Sequence, residues 1–323
     1  MTDSLDARLA QRGVLVLDGA LATELEARGQ DLDHDLWSAR VLAEAPEVVL
    51  GVHAAYVAAG ADVISTSSYQ ASLAGFRAAG YADSEAEELL RRSVRLAREA
   101  CSAGDASPLV AASPLVAASI GPYGALRADG SEYTGYGAWS ARLADEVAES
   151  HAWRLEVLFD ELAGSGGGEP AEPLFAFETI PSLSEALLLA EWLEDAGRGA
   201  AWISFSCRDG ATTCEGQPVA ECARALADFS RVSALGVNCT DPTHVTELVR
   251  ALRSESEKAI VVYPNTGEVY DIERRAWRGE SVLGDSMWSE WHAAGATLLG
   301  GCCRTSPGDI RRLVRWRDGL AAS

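Results

Sequence analysis

"SALGVNC", residues 233–239, is an apolar run that ends in a polar residue and a thiol. It is apolar on both faces, as a strand is when covered on both sides in a parallel sheet. The same pattern recurs in "VLVLD" (14–18), "ADVISTS" (61–67), "PLVAASIG" (114–121) and "PLFAFET" (173–179). It recurs again in "AWISFSC" (201–207), "AIVVYPN" (259–265) and "ATLLGGC" (296–302), which makes eight. Between these runs lie helical patterns at 84–102, 137–163, 182–197, 217–229, 243–254 and 284–294, and "VHAAYVAAG" precedes the second run. Strand followed by helix, eight times over, predicts an α/β protein with a (β/α)8 TIM barrel, a single domain spanning 1–323. An open doubly wound sheet is the alternative. Eight units and the lack of a glycine-rich dinucleotide fingerprint favour the barrel.

The composition suits that reading. The chain has 323 residues, 48% of them hydrophobic, enough for a large core. Its formal charge of −21 argues against binding a nucleic-acid backbone or an anionic membrane. No apolar stretch is long enough to span a bilayer, and the acidic, amphipathic N-terminus is unlike a secretory signal. Seven cysteines, an odd number, do not suggest a disulfide framework and point to a reducing cytoplasm. The expected assembly is a monomer or small homo-oligomer. "SPLVAA" occurs twice in tandem, at 107–112 and 113–118. The second copy runs on into "SIGPYG" and is assigned the third strand. "AGSGGGEPAEP" (163–173) reads as a flexible connector.

In a (β/α)8 barrel, chemistry collects where strands end. Asp18-Gly19 ends the first strand, Thr66 to Tyr69 follow the second, and Glu178 ends the fourth. Cys239 ends the sixth, and Cys302 and Cys303 end the eighth after two glycines. Three thiolates on one rim match a zinc site with one position open. A buried apolar role or a strained vicinal disulfide between Cys302 and Cys303 are the other readings. Cys101, Cys207, Cys214 and Cys222 read as buried small side chains or as plain surface residues. Asp18 and Glu178 read either as helix caps or as site carboxylates. Trp37 reads as core, and the Thr66–Tyr69 hydroxyls as partners of backbone groups.

Taken together, several motifs resemble the homocysteine S-methyltransferases. They are "DGALATELEARG" (18–29), "LWSA" (36–39), "VHAAYVAAGADVISTSSYQAS" (52–72), "GPYGA" (121–125), "GSEYTGYG" (130–137), "FETIPS" (177–182), "GVNC" (236–239), "YPNTGEVYD" (263–271) and "GGCCRT" (300–305). The resemblance covers nearly the whole chain in order. It is nearest to the branch that uses S-methylmethionine or S-adenosylmethionine. It implies a zinc-dependent methyltransferase that converts homocysteine to methionine with a sulfonium donor. By matching motifs, Cys239, Cys302 and Cys303 would be the catalytic zinc ligands. Asp18 and Gly19 would lie beside homocysteine, Glu178 would hold its amino group, and Trp37 and Tyr69 would line the substrate site. The tandem "SPLVAA" departs from the family pattern. A betaine- or cobalamin-linked homocysteine methyltransferase module and a non-catalytic zinc or thiol sensor on the same barrel are the competing functions. A sensor would need a fourth protein ligand, and no histidine ends any of the eight strands.

Overall fold

The structure, a computed structural model, describes residues 4–32, 38–104, 113–164, 172–271 and 276–320. Trp37, the first "SPLVAA" copy and most of the glycine-rich connector lie outside the described residues.

Eight strands form one sheet: β1 (Leu15–Val16), β2 (Val63–Ser65), β3 (Leu115–Ile120), β4 (Leu174–Ile180), β5 (Ala200–Phe205), β6 (Val232–Asn238), β7 (Ala259–Tyr263) and β10 (Ala296–Leu299). Their order is β1-β10-β7-β6-β5-β4-β3-β2, and every pairing is parallel. A parallel bridge between Leu17 and Val63 joins the two ends and closes the cylinder. The expected (β/α)8 barrel is therefore present. Two further strands, β8 (Val269–Asp271) and β9 (Ala276–Arg278), pair antiparallel beside it after β7. Three residues each are too short to show a period in sequence.

The core has two compartments, as a barrel requires. Leu15, Leu17, Val63, Ala117, Leu174, Ala176, Trp202, Ala234, Val261 and Leu298 pack together inside the cylinder. The other strand faces, including Val16, Ile64, Phe175, Phe177, Ile203 and Val262, pack outward against the helices. This two-sided burial is why the runs lack alternation. Cys101, Cys207, Cys214 and Cys222 are all buried, as small apolar side chains are.

Each expected helix is present, with further helices such as Leu5–Arg12 and Pro307–Leu320 that the pattern did not mark, and the largest shift falls at 137–163. The helix expected from residue 137 begins at Ala141, where Ser140 accepts from the Leu143 N–H at 3.2 Å. Gly135 and Gly137, with φ of 79° and 77°, hold the preceding segment out of helical geometry. At the other end of the barrel, Asp62 is buried at the start of β2. It accepts from the Val16 N–H at 2.8 Å and pairs with Arg317 at 2.5 Å and with Arg12. This ion cluster lies at the opposite end of β2 from Thr66, and each of its charges has a partner.

Candidate active site

Cys239 follows β6 directly, with φ of 48°. That left-handed turn redirects the chain as it leaves the barrel. Cys302 and Cys303 follow β10 after Gly300 and Gly301. A Cβ on Gly300 would lie 2.7 Å from the Leu17 Cβ and 3.0 Å from the Asp18 carbonyl oxygen, and one on Gly301 would overlap the Thr305 side chain. The two glycines thus let the cysteine turn press against the end of β1. The Cys302 N–H donates to the Pro264 carbonyl at 2.8 Å, and Thr305 Oγ1 donates to the Cys302 carbonyl at 2.7 Å.

These turns bring three sulfurs together. Cys239 Sγ lies 2.7 Å from Cys302 Sγ and 3.7 Å from Cys303 Sγ, and all three lie within 4.8 Å of one another. They form a group able to hold a metal ion, the only such group of histidine, cysteine or carboxylate ligands among the described residues. Hydrogen bonds from Cys302 and Cys303 pull the Cys239 thiol well below its usual range, aided by Tyr133. Cys302 and Cys303 are pushed up in turn, chiefly through their bonds to Cys239. Of the three, Cys239 is thus the thiol favoured to ionise first. Beneath it, Asn238 Nδ2 lies 4.0 Å from Cys302 Sγ and donates to Thr179 Oγ1 at 2.8 Å.

Asp18 and Glu178 share the same rim. Asp18 accepts from the Ser65 N–H at 2.8 Å and from Ser65 Oγ at 3.1 Å. Burial, with the nearby Glu178 charge, pushes Asp18 up to about 8. Glu178 accepts from Ser119 Oγ, and burial pushes it up to about 7 against the opposing pull of Ser119 and Tyr263. Two carboxyls held so far above their ordinary range are poised for a cationic partner. Gly19 is packed tightly: a Cβ there would lie 2.8 Å from the Tyr56 ring and 2.9 Å from Thr305 Oγ1. The Tyr69 ring passes over Gly121, where a Cβ would sit 2.7 Å from it. Burial raises the Tyr69 phenol, and the Cys239 and Glu178 charges add to this.

The hydroxyls before Tyr69 serve mainly the backbone. Ser68 Oγ donates to the Ser119 carbonyl at 2.8 Å, and Thr66 Oγ1 accepts from the Ser119 N–H at 3.0 Å. Ser67 Oγ is buried with no partner.

Sequence reading missed the residues that floor and flank the site. Tyr263 Oη accepts from Trp202 Nε1 at 2.9 Å and lies 2.6 Å from Ser204 Oγ inside the barrel. Tyr133 Oη lies 3.8 Å from Cys239 Sγ. Its segment is held by Glu185, which accepts from the Tyr123 N–H at 2.7 Å and Tyr136 Oη at 2.6 Å. Glu185 also faces His151 at 2.8 Å, and burial pushes that imidazole down to about 4. The motif "GSEYTGYG" contained the signal for Tyr133, but only folding assigns its direction.

A closed parallel barrel with three convergent thiols and two carboxyls on its C-terminal rim defines a barrel enzyme with a thiolate metal-binding group. A model of the homocysteine S-methyltransferase family matches residues 15–316. The chain is 47% identical to homocysteine S-methyltransferase 4 of Zea mays over 320 residues, covering 94% of this chain and 89% of that protein. It is 42% identical to homocysteine S-methyltransferase YbgG of Bacillus subtilis, covering 95% of each. The fold matches the metallated form of the homocysteine methyltransferase MmuM from Escherichia coli with a TM-score of 0.83 and 41% identity, over 96% of this chain and 99% of that one. The chain belongs to the homocysteine S-methyltransferase family and is a methyltransferase. No helix among the described residues is long and apolar enough to cross a membrane.

Proposed function

We propose that this enzyme methylates homocysteine at a zinc ion held by Cys239, Cys302 and Cys303, with a sulfonium compound as methyl donor. The convergence of the three sulfurs carries the reading. Three thiolates bound to one zinc at about 2.3 Å would lie roughly 3.8 Å apart. The Cys239–Cys303 separation of 3.7 Å already suits that, and the 2.7 Å pair needs only a small opening. The donor set is all sulfur, which favours a soft or borderline ion over magnesium or calcium. Three protein ligands leave one position for a substrate thiol, which does not suit a closed sensor site.

Zinc bound there would lower the pKa of the homocysteine thiol, so that it is held as the nucleophilic thiolate at neutral pH. The protein's own groups orient the substrate. Glu178 and Asp18 receive the α-ammonium, and its charge draws both carboxyls back to the ionised form. Gly19 keeps the backbone beside Asp18 narrow, and Tyr69 walls the site next to Cys239. Asn238, fixed by Thr179 and Ser204, supports the Cys302 sulfur from below. No general base is required of His53 or His151, which burial holds at about 4. The test is zinc content together with methionine formed from homocysteine and each of several donors. Full activity in a metal-free protein would overturn the zinc assignment.

A further inference from the structure

Both substrates of the proposed reaction are amino acids: homocysteine and a sulfonium such as S-methylmethionine each carry an α-ammonium group. Asp18 and Glu178 form one carboxylate station, close enough for the Glu178 charge to bear on Asp18. A second carboxylate lies near the cysteines. Glu132 Oε2 is buried with no hydrogen-bond partner. The charges of Asp129 and Cys239 bear on Glu132, and the Glu132 charge bears in turn on Tyr69. An unpartnered buried carboxylate oxygen is costly unless a ligand completes it.

The backbone around Glu132 is built, not loose. Ser206 Oγ donates to the Glu132 carbonyl at 2.7 Å, and Glu215 Oε1 accepts from the Tyr136 N–H at 2.9 Å. Gly124 allows close packing, since a Cβ there would reach the Glu132 nitrogen at 2.5 Å. The next residue, Tyr133, points its hydroxyl at Cys239 Sγ yet is 48% exposed. A carboxylate and an accessible aromatic ring thus adjoin the thiolate group on consecutive residues. That pair is chemically suited to a cation with both an ammonium and an onium centre.

We propose that Glu132 and Tyr133 form the donor subsite, with Glu132 receiving the donor's α-ammonium and the Tyr133 ring flanking its sulfonium beside Cys239. This rests on the sulfonium reading given above. The transfer balances without any further reactant. The donor S–CH3 bond breaks, a new S–CH3 bond forms on the homocysteine sulfur, the donor leaves as a neutral thioether, and the thiol proton passes to solvent.

The test uses the zinc-loaded full chain, with kinetics varied separately in donor and in homocysteine. Glu132→Gln keeps size and removes charge. It should raise the KM for S-methylmethionine roughly tenfold or more, leaving the KM for homocysteine, zinc content and melting temperature near wild type. Dimethylsulfoniopropionate, a sulfonium that lacks the amino group, is the control donor; its use should be unaffected by Glu132→Gln and reduced by Tyr133→Leu. Direct titration of S-methylmethionine into each variant provides a readout apart from turnover. An unchanged donor KM, a rise confined to homocysteine, or an equal penalty on both sulfoniums would each overturn the Glu132 assignment while leaving the proposed function standing. A wild-type enzyme that ignores both sulfoniums would remove the donor class itself, and this subsite with it.

Discussion

Cys239 Sγ and Cys303 Sγ stand 3.7 Å apart although 64 positions separate them in sequence. The barrel causes this: β6 and β10 both run toward the same rim with only β7 between them, and each strand releases its thiol into a sharp turn. Because three sulfurs share one point, each should be individually required to hold an ion. Cys239→Ser, Cys302→Ser and Cys303→Ser should each lose most of the bound zinc, measured by elemental analysis. The fold should persist in each, since the two core compartments are much larger than the site. Far-ultraviolet circular dichroism that collapses on chelation would contradict this, as would full zinc retention in all three variants.

Glu178 is hydrogen-bonded by Ser119 and Tyr263 and, among the described residues, by none of the three thiols, so its variant should act on substrate and not on metal. Glu178→Gln removes the charge facing the α-ammonium, at a cost of about 1.5–3 kcal/mol, or roughly 10- to 150-fold in homocysteine affinity. Zinc content should stay at the wild-type level. The pair of measurements is the homocysteine KM and the zinc stoichiometry. A normal KM would remove Glu178 from the site, and lost zinc would reassign it to the metal.

The metal-free protein should show a pH signature of Asp18. Its carboxyl is held up to about 8 in the folded state, mainly by burial. Between an ordinary carboxyl value near 4 and that point, the folded state keeps a proton that the unfolded chain releases. This contribution to stability therefore falls as pH rises through the window. His53 and His151, held down to about 4, act in the opposite sense: from there to 6.5 the unfolded chain binds the extra protons, so stability rises with pH. Asp18→Asn removes the first effect and keeps the second. Thermal melts of chelated protein at about pH 5.5 and about pH 8.5 should show the variant gaining on wild type at the higher pH. Parallel profiles would mean that Asp18 titrates normally.

The barrel was legible because all eight strands are buried on two faces, and such runs stand out against amphipathic helices. The thiols and the two carboxyls were legible because they end those runs. Glu132 and Tyr133 were not, because they belong to a short loop helix, Ser131–Tyr133, whose direction depends on Gly130, Ser206 and Glu185. Tyr263 ends the seventh apolar run and Trp202 lies within the fifth, and both are buried. Only their mutual hydrogen bond beneath Glu178 marks them as the floor of the site. Thr66 and Ser68 show the converse: polar residues at a strand end that serve β3, as the backbone reading of that cluster anticipated.

The methyl donor is the remaining choice, and charge is the argument for a sulfonium. The thiolate nucleophile is negative and a sulfonium is positive, so charge is dispersed as the methyl group moves. A site with little water favours such a step. The protein's formal charge of −21 adds a weak preference for a cationic donor over an anionic folate. Betaine is cationic at nitrogen, but an amine is a poorer leaving group than a thioether, and betaine's quaternary nitrogen has no N–H to donate to Glu132. S-adenosylmethionine has the sulfonium and the ammonium, but its adenosyl group must find room beside Tyr69 and Tyr133. S-methylmethionine should therefore be the best donor, S-adenosylmethionine slower, and betaine and methyl-tetrahydrofolate slower than both. Methionine formation from homocysteine, with each donor at equal concentration, ranks them. Faster turnover with betaine or the folate than with either sulfonium would sink the assignment.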